Sequence, residues 1–173
     1  MSVDSTSGGR LRPFRSADLP AALALQASAY APALRDSPAA FASRLAIAAG
    51  CCRVAERDGE LCGYILAHPW PSGMPPAVDT VLDAPPDDAD RVLYVHDLSV
   101  SSTATGAGFG RRLVDCALDA ARRAGLQRAE LVAVPGAAQF WQRLGFEALP
   151  VAGTLAEQVH GYGREAVYMG RVL

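Results

Sequence analysis

The sequence predicts an α/β (α+β) fold built on one mixed-direction sheet of about six to seven strands, in the order β-α-α-β-β-β-α-β-α-β-β. Three observations carry this. Two helical patterns come before any long strand. A hairpin signal, Asp58-Gly59, then joins two short apolar runs. Finally, an apolar strand breaks into the glycine-rich segment Gly106 to Gly110 and runs directly into a helix.

In chain order, Arg10 to Arg15 reads as a short strand, with Leu11 and Phe14 available to a core. Ser16 or Asp18 caps a helix that runs to about Tyr30. Pro32 stops it. Ser37, followed by Pro38 at the first helical position, opens a second helix over Ala39 to Ala49, ended by Gly50. Cys51 to Arg57 and Glu60 to Ala67 form the hairpin. His68 to Arg91 is proline-rich and reads as a long loop, of the kind that serves as a lid or as a plain surface excursion. Val92 to Val100 is the central strand, Gly108 to Ala124 the helix after it, and Arg128 to Val134 a strand parallel to the central one. A short helix over Ala137 to Leu144, a strand over Phe146 to Val151 and a last strand over Ala166 to Leu173 complete the chain. The expected organisation is a flexible N-terminus over residues 1–9 and one domain over residues 10–173.

Composition narrows the function. The formal net charge is −2 and no basic run is present, so nucleic acid is not an expected partner. All 16 basic residues are arginine. The absence of lysine excludes Schiff-base chemistry and a P-loop lysine. Richness in Arg and Ala is what a GC-rich bacterial genome produces. The cysteines, Cys51, Cys52, Cys62 and Cys116, form no C-x-x-C pair and read as reduced thiols of a cytoplasmic protein. No metal site is expected. No stretch approaches the ~20 apolar residues of a membrane span, and the polar start has no signal-peptide pattern.

The glycine segment admits three readings. A dinucleotide fingerprint needs G-x-G-x-x-G after the first strand of a βαβ unit; here the spacing is G-x-G-x-G and Arg111 holds the third position. A P-loop needs the missing lysine. The third reading is a pyrophosphate cradle of backbone N–H groups at the positive end of a helix.

The third reading matches a family. Leu98 to Leu113, with its window Thr105-Gly106-Ala107-Gly108-Phe109-Gly110, resembles motif A of the GNAT N-acetyltransferase superfamily. Thr105 departs from the family's Arg or Gln at that position, although its backbone N–H remains available. Downstream, Ala138-Gln139-Phe140-Trp141-Gln142-Arg143-Leu144-Gly145-Phe146 resembles the family's A-x-x-F-Y-x-x-x-G-F segment. The element order fits from about Arg10 to Leu173.

The resemblance implies a single-domain GNAT fold with splayed central strands. It implies acetyl-CoA as co-substrate and transfer of the acetyl group to a primary amine, of a small molecule or a protein, by direct attack through a tetrahedral intermediate. Backbone groups of Leu98, Ser99 and Val100 would pair with the pantetheine arm. Thr105, Gly106, Ala107, Gly108, Phe109, Gly110 and Arg111 would hold the pyrophosphate. Ala138, Phe140, Trp141 and Arg143 would line the remainder of the cofactor. The family dimerises often, so a homodimer is expected. Trp141 stands where the family commonly has a tyrosine acid, and an indole N–H does not transfer protons at neutral pH. That keeps a non-catalytic module binding CoA or acyl-CoA as the alternative.

Candidates for side-chain chemistry are Asp97 and His96, adjacent on the central strand, and Tyr168 or Tyr162 as acid. Alternation puts His96 and Asp97 on opposite faces unless a bulge intervenes. His96 has the better unperturbed pKa, and Asp97 lies nearer the acetyl end. A base acting through water from Glu56 is a further reading.

Overall fold

The computed structural model describes residues 8–48, 50–85, 87 and 90–173. The expectations for residues 1–7, Ala49, Pro86 and Asp88 fall outside them. Gly9 belongs to the fold: a Cβ there would meet Glu56 O and the Phe109 ring, and its carbonyl accepts from Arg112 Nη1 at 3.1 Å.

The chain runs β1 (Arg10–Pro13), α1 (Leu19–Ala29), α2 (Pro38–Ala46), β2 (Arg53–Arg57), β3 (Glu60–Pro71), β4 (Arg91–Val100), α3 (Phe109–Arg123), β5 (Arg128–Ala133), α4 (Ala138–Arg143), β6 (Glu147–Ala148), α5 (Gly153–His160) and β7 (Val167–Val172). The seven strands form one mixed sheet in the order β1-β2-β3-β4-β5-β7-β6. The expected α/β architecture is therefore present.

The local reasons are those the sequence offered. Ser37 Oγ accepts from Ala40 N at 3.3 Å, and Pro38 begins α2. Asp58 and Gly59, with φ of 53° and 84°, make the tight turn that joins β2 to β3.

The strand β1 ends at Pro13 and α2 at Ala46, short of the expected Arg15 and Ala49, and two further differences are larger. First, β3 continues through Pro69 and Pro71, so the loop starts at Ser72. Ser72 N bonds to Asp90 O at 2.8 Å, which makes the even residues of this stretch the ones that bond to β4. The two prolines face the opposite edge, which β2 leaves unpaired beyond Ile65. Second, the segment after α4 forms only a two-residue strand, followed by the unforeseen helix α5. Only Val159 of α5 is buried, so that helix has no apolar stripe to announce it.

The sheet carries helices on both faces. Phe109, Leu113, Ala117 and Ala121 of α3 pack with Trp141 and Phe146 over Ile65, Leu93, Val95 and Leu131. On the other face, Ala22 and Phe41 pack over Val54, Tyr64 and Leu66. Among the described residues, no helix is long and apolar enough to cross a membrane, and no three metal-ligating side chains converge.

Candidate active site

The parallel pair at the centre of the sheet opens. β4 and β5 are paired only at Leu93↔Ala129, Tyr94↔Glu130 and Val95↔Leu131, although β4 runs on to Val100 and β5 to Ala133. On its other edge β4 stays paired with β3. Ser101 N donates to Cys62 O at 2.7 Å, so Ser99 and Asp97 are also on the β3-bonded parity. Leu98 and Val100 therefore turn their N–H and C=O groups into the gap. Tyr30 Oη donates to Leu98 O at 3.1 Å, while no partner is recorded for the Leu98 N–H among the described residues. Ser99, grouped with Leu98 and Val100 in the sequence, bonds to the sheet, and its buried hydroxyl faces Tyr64 and Asp97.

At the end of β4 the glycine loop turns into α3. Gly106 and Gly108 have φ of 85° and 76°, and a Cβ on either would meet nothing within 4 Å. The first helical bond is Arg112 N to Gly108 O at 3.1 Å, so the N–H groups of Phe109, Gly110 and Arg111 precede the helical ladder. The Thr105 hydroxyl turns back to Ser101 O at 3.2 Å. The Phe109 side chain is buried in the core, so only its backbone is available there. Arg111 is exposed, 3.9 Å from Asp115.

His96 and Asp97 lie at the mouth of the gap. The register between β3 and β4 passes from Leu66↔Asp97 to Ala67↔Val95, so His96 is an extra residue in β4. This bulge overrides strict alternation, and both side chains reach groups on the α1–α2 side. His96 Nε2 lies 2.7 Å from Asp36 Oδ2, and its Nδ1 is buried without a hydrogen-bond partner. Asp36 also accepts from Asp79 N at 2.8 Å and lies 3.8 Å from the fully buried Arg44. Burial opposes the charged form of Asp36, but the His96 hydrogen bond and charge, together with Arg44, outweigh it and lower its pKa. Asp97 behaves oppositely: burial raises its pKa despite the hydrogen bond donated by Tyr64.

A cavity of about 140 Å³ joins these parts, lined by His96, Asp97, Leu98, Val132, Phe140 and Trp141 and also by Tyr30, Leu34, Val78 and Tyr162. Trp141 is wedged between Phe140 and Phe146 at ring distances of 5.1 and 5.4 Å. Tyr162, not Tyr168, is the tyrosine from the C-terminal part of the chain that lines this cavity. Burial pushes the Tyr162 phenol up to about 12, and its hydroxyl bonds to Pro76 O. The Tyr168 hydroxyl bonds to Glu130 and accepts from Gly73 N at 3.1 Å, at the base of the long loop. Glu56 is held by Arg10 and Arg12 at 2.8 and 2.6 Å, outside the cavity. Arg111 and Arg143 line a different and larger groove of about 650 Å³ between α3 and β6–β7, which contains neither His96 nor Asp97. Ala138 packs at the rim of the core.

Sequence reasoning missed Asp36, Leu34 and Val78. All three sit in connections, where no periodicity marks a residue as facing a cavity.

The profile of the acetyltransferase (GNAT) family matches residues 19–146. No curated protein sequence matches. Solved structures share the fold at low identity. Naa50 from Arabidopsis thaliana, in complex with the bisubstrate analogue CoA-Ac-MVNAL, is 15% identical over 96% of this chain and 99% of its own, with a TM-score of 0.71. The ribosomal-protein-S18-alanine N-acetyltransferase of Escherichia coli is 18% identical over 95% and 93%, at 0.64. N-acetylglutamate synthase from Neisseria gonorrhoeae, complexed with coenzyme A and N-acetyl-glutamate, is 20% identical over 95% of this chain and 35% of its own, at 0.71.

Proposed function

The chain belongs to the acetyltransferase (GNAT) family, and we propose that it moves an acetyl group from acetyl-CoA to a primary amine, with His96 as the base. The observation that carries this reading is the His96–Asp36 pair, in which His96 lines the cavity where β4 and β5 part and Asp36 holds it from behind.

The residues present suit acetyl-CoA. The open loop at Gly106 and Gly108 and the N–H groups at the start of α3 suit a pyrophosphate. The backbone groups of Leu98 and Val100 suit the amides of an extended arm, and the Leu98 N–H suits the thioester oxygen as negative charge grows on it. When bound, acetyl-CoA supplies the activated acyl carbon.

His96 does the proton work. Asp36 accepts from Nε2–H, which leaves the neutral ring its lone pair on Nδ1. That nitrogen first takes a proton from the acceptor ammonium, which frees the lone pair that attacks the thioester carbon. The C–N bond forms, the nitrogen gives up its second proton to the medium as the C–S bond breaks, and the departing thiolate takes a proton from the medium. Asp97 suits the role less well, since Tyr64 and Ser99 already occupy its oxygens.

The test is a panel of amines incubated with acetyl-CoA, with the acetylated amine measured by mass spectrometry, beside calorimetry of CoA binding. Turnover on at least one amine, lost in His96→Ala with CoA affinity kept, is the expected result. Binding without turnover on any acceptor would favour a non-catalytic acyl-CoA module. No binding would end both readings.

A further inference from the structure

We infer that the acceptor is a small primary amine with a compact apolar substituent, and that the segment Pro76–Leu82 sets this limit. The inference rests on the transfer reading above.

The first argument is size. The cavity beside His96 has a volume of about 140 Å³ in total, and part of it belongs to the acetyl end. A cavity of roughly 150 Å³ holds one benzene. Beside His96 and Asp97, its lining includes a wall of Tyr30, Leu34, Val78 and Tyr162, which is aromatic and aliphatic. The two carboxylates near it, Asp36 and Asp97, are already engaged, by His96 and Arg44 and by Tyr64. Nothing in that wall offers a free partner to a second charge on the acceptor.

The second argument is that the part of the lining around Val78 is tied down. Val78 comes from the loop between β3 and β4, which the sequence marks as a lid or an excursion. In the fold it is a strap anchored on both sides of Val78. Arg44, without solvent exposure, donates to Ala77 O at 3.3 Å and Thr80 O at 2.8 Å. Asp79 N donates to Asp36, and Asp79 Oδ1 accepts from Ser37 N at 2.7 Å. Leu82 N donates to Ser43 Oγ at 2.9 Å, and Tyr162 Oη donates to Pro76 O. A polypeptide amine must bring its following residues past this strap, which would break several hydrogen bonds, most of them partly buried. A short amine need not.

The experiment compares kcat/KM of the full-length protein with saturating acetyl-CoA for isobutylamine, benzylamine, spermidine and a hexapeptide with a free α-amine. Isobutylamine or benzylamine should exceed the hexapeptide by about 100-fold. Val78→Gly, or Leu34→Ala should the first not fold, should narrow that gap by about tenfold. Equal turnover of hexapeptide and small amines by the wild type overturns the size limit and leaves the transfer reading standing. Turnover of spermidine above both small amines overturns the apolar assignment. Turnover of none, by protein that binds acetyl-CoA, overturns the transfer reading itself and this inference with it.

Discussion

His96 Nε2 and Asp36 Oδ2 lie 2.7 Å apart across a sequence separation of 60 residues. One sits in a strand bulge and the other in the connection between the first two helices. Their contact fixes which imidazole nitrogen carries the proton, and so which one is free to take another. The same carboxylate accepts from Asp79 N and lies near Arg44, so the proposed base and the strap over the cavity share one anchor.

Replacing His96 tests the proposed role most directly. His96→Gln should lower kcat by about 100-fold, in the range expected for loss of general base catalysis. The affinity for acetyl-CoA should stay within about twofold, because the backbone groups proposed to hold the cofactor lie elsewhere. Steady-state rates and calorimetry on the same preparation decide it. Parallel loss of rate and cofactor binding would assign His96 to structure.

Asp36→Asn keeps one oxygen, which can accept from His96 or from Asp79 but not from both because those bonds go to different oxygens, and it removes the charge that stabilises an imidazolium. We expect kcat to fall about tenfold with KM for acetyl-CoA unchanged. Asp36→Ala should fall further and also lose stability, since Asp79 N loses its acceptor and Arg44 its neighbouring carboxylate. An unchanged kcat in Asp36→Asn would separate the pair from catalysis.

Much of the fold was legible because local signals agreed with the global arrangement. Ser37-Pro38, Asp58-Gly59 and the glycine run into α3 each mark a boundary by backbone chemistry, and each forms as expected. The gap between β4 and β5 could be expected only through family resemblance, since no residue pattern encodes where a parallel pair stops. The site was half legible. His96 and Asp97 stood out as polar residues inside an apolar strand. Asp36 and Val78 did not, because a loop residue acquires its partner only when distant segments fold together. The bulge at His96 was equally hidden: an extra residue in a strand leaves no trace in a run such as Tyr94-Val95-His96-Asp97-Leu98.

Gly108→Ala probes the cradle. Gly108 is the N-cap of α3 at φ 76°, and an added Cβ would project into open space. The backbone strain should cost about 1 kcal/mol of stability. The methyl group would occupy the space that a pyrophosphate needs, so CoA affinity should drop by about tenfold or more. Thermal unfolding and CoA titration measure the two effects separately. Unchanged CoA affinity in a folded variant would move the phosphate site elsewhere.

Arg44 holds the strap from inside the protein. With no exposure, its guanidinium lies 3.8 Å from Asp36 and donates to three backbone carbonyls, Ala40, Ala77 and Thr80. Arg44→Met fills part of the volume but leaves Asp36 and two loop carbonyls short of a partner. The expected loss is about 3 kcal/mol, as for other broken buried pairs. Proteolysis should cut the variant first within 76–82. A variant as stable as the wild type, with an uncut loop, would show that the strap stands without this anchor.

His68 gives the protein a pH dependence apart from its chemistry. It is fully buried, with Nε2 unpartnered and its ring against Trp70 and Tyr94. Burial foremost, then the charge of nearby His96, lowers its pKa to about 3 from 6.5. Between those values the unfolded chain binds a proton that the folded chain does not, so folding stability falls as pH drops below 6.5. At pH 5 this amounts to about 2 kcal/mol relative to pH 8. Asp97 works in the other direction, because its raised pKa makes ionisation costly as pH rises, but it is common to both proteins compared. His68→Leu removes the titrating group and the unpaired nitrogen together. Urea unfolding of both proteins at pH 8 and pH 5 should therefore show the wild type losing about 2 kcal/mol more than the variant. Equal losses would mean that His68 gains its proton inside the folded protein.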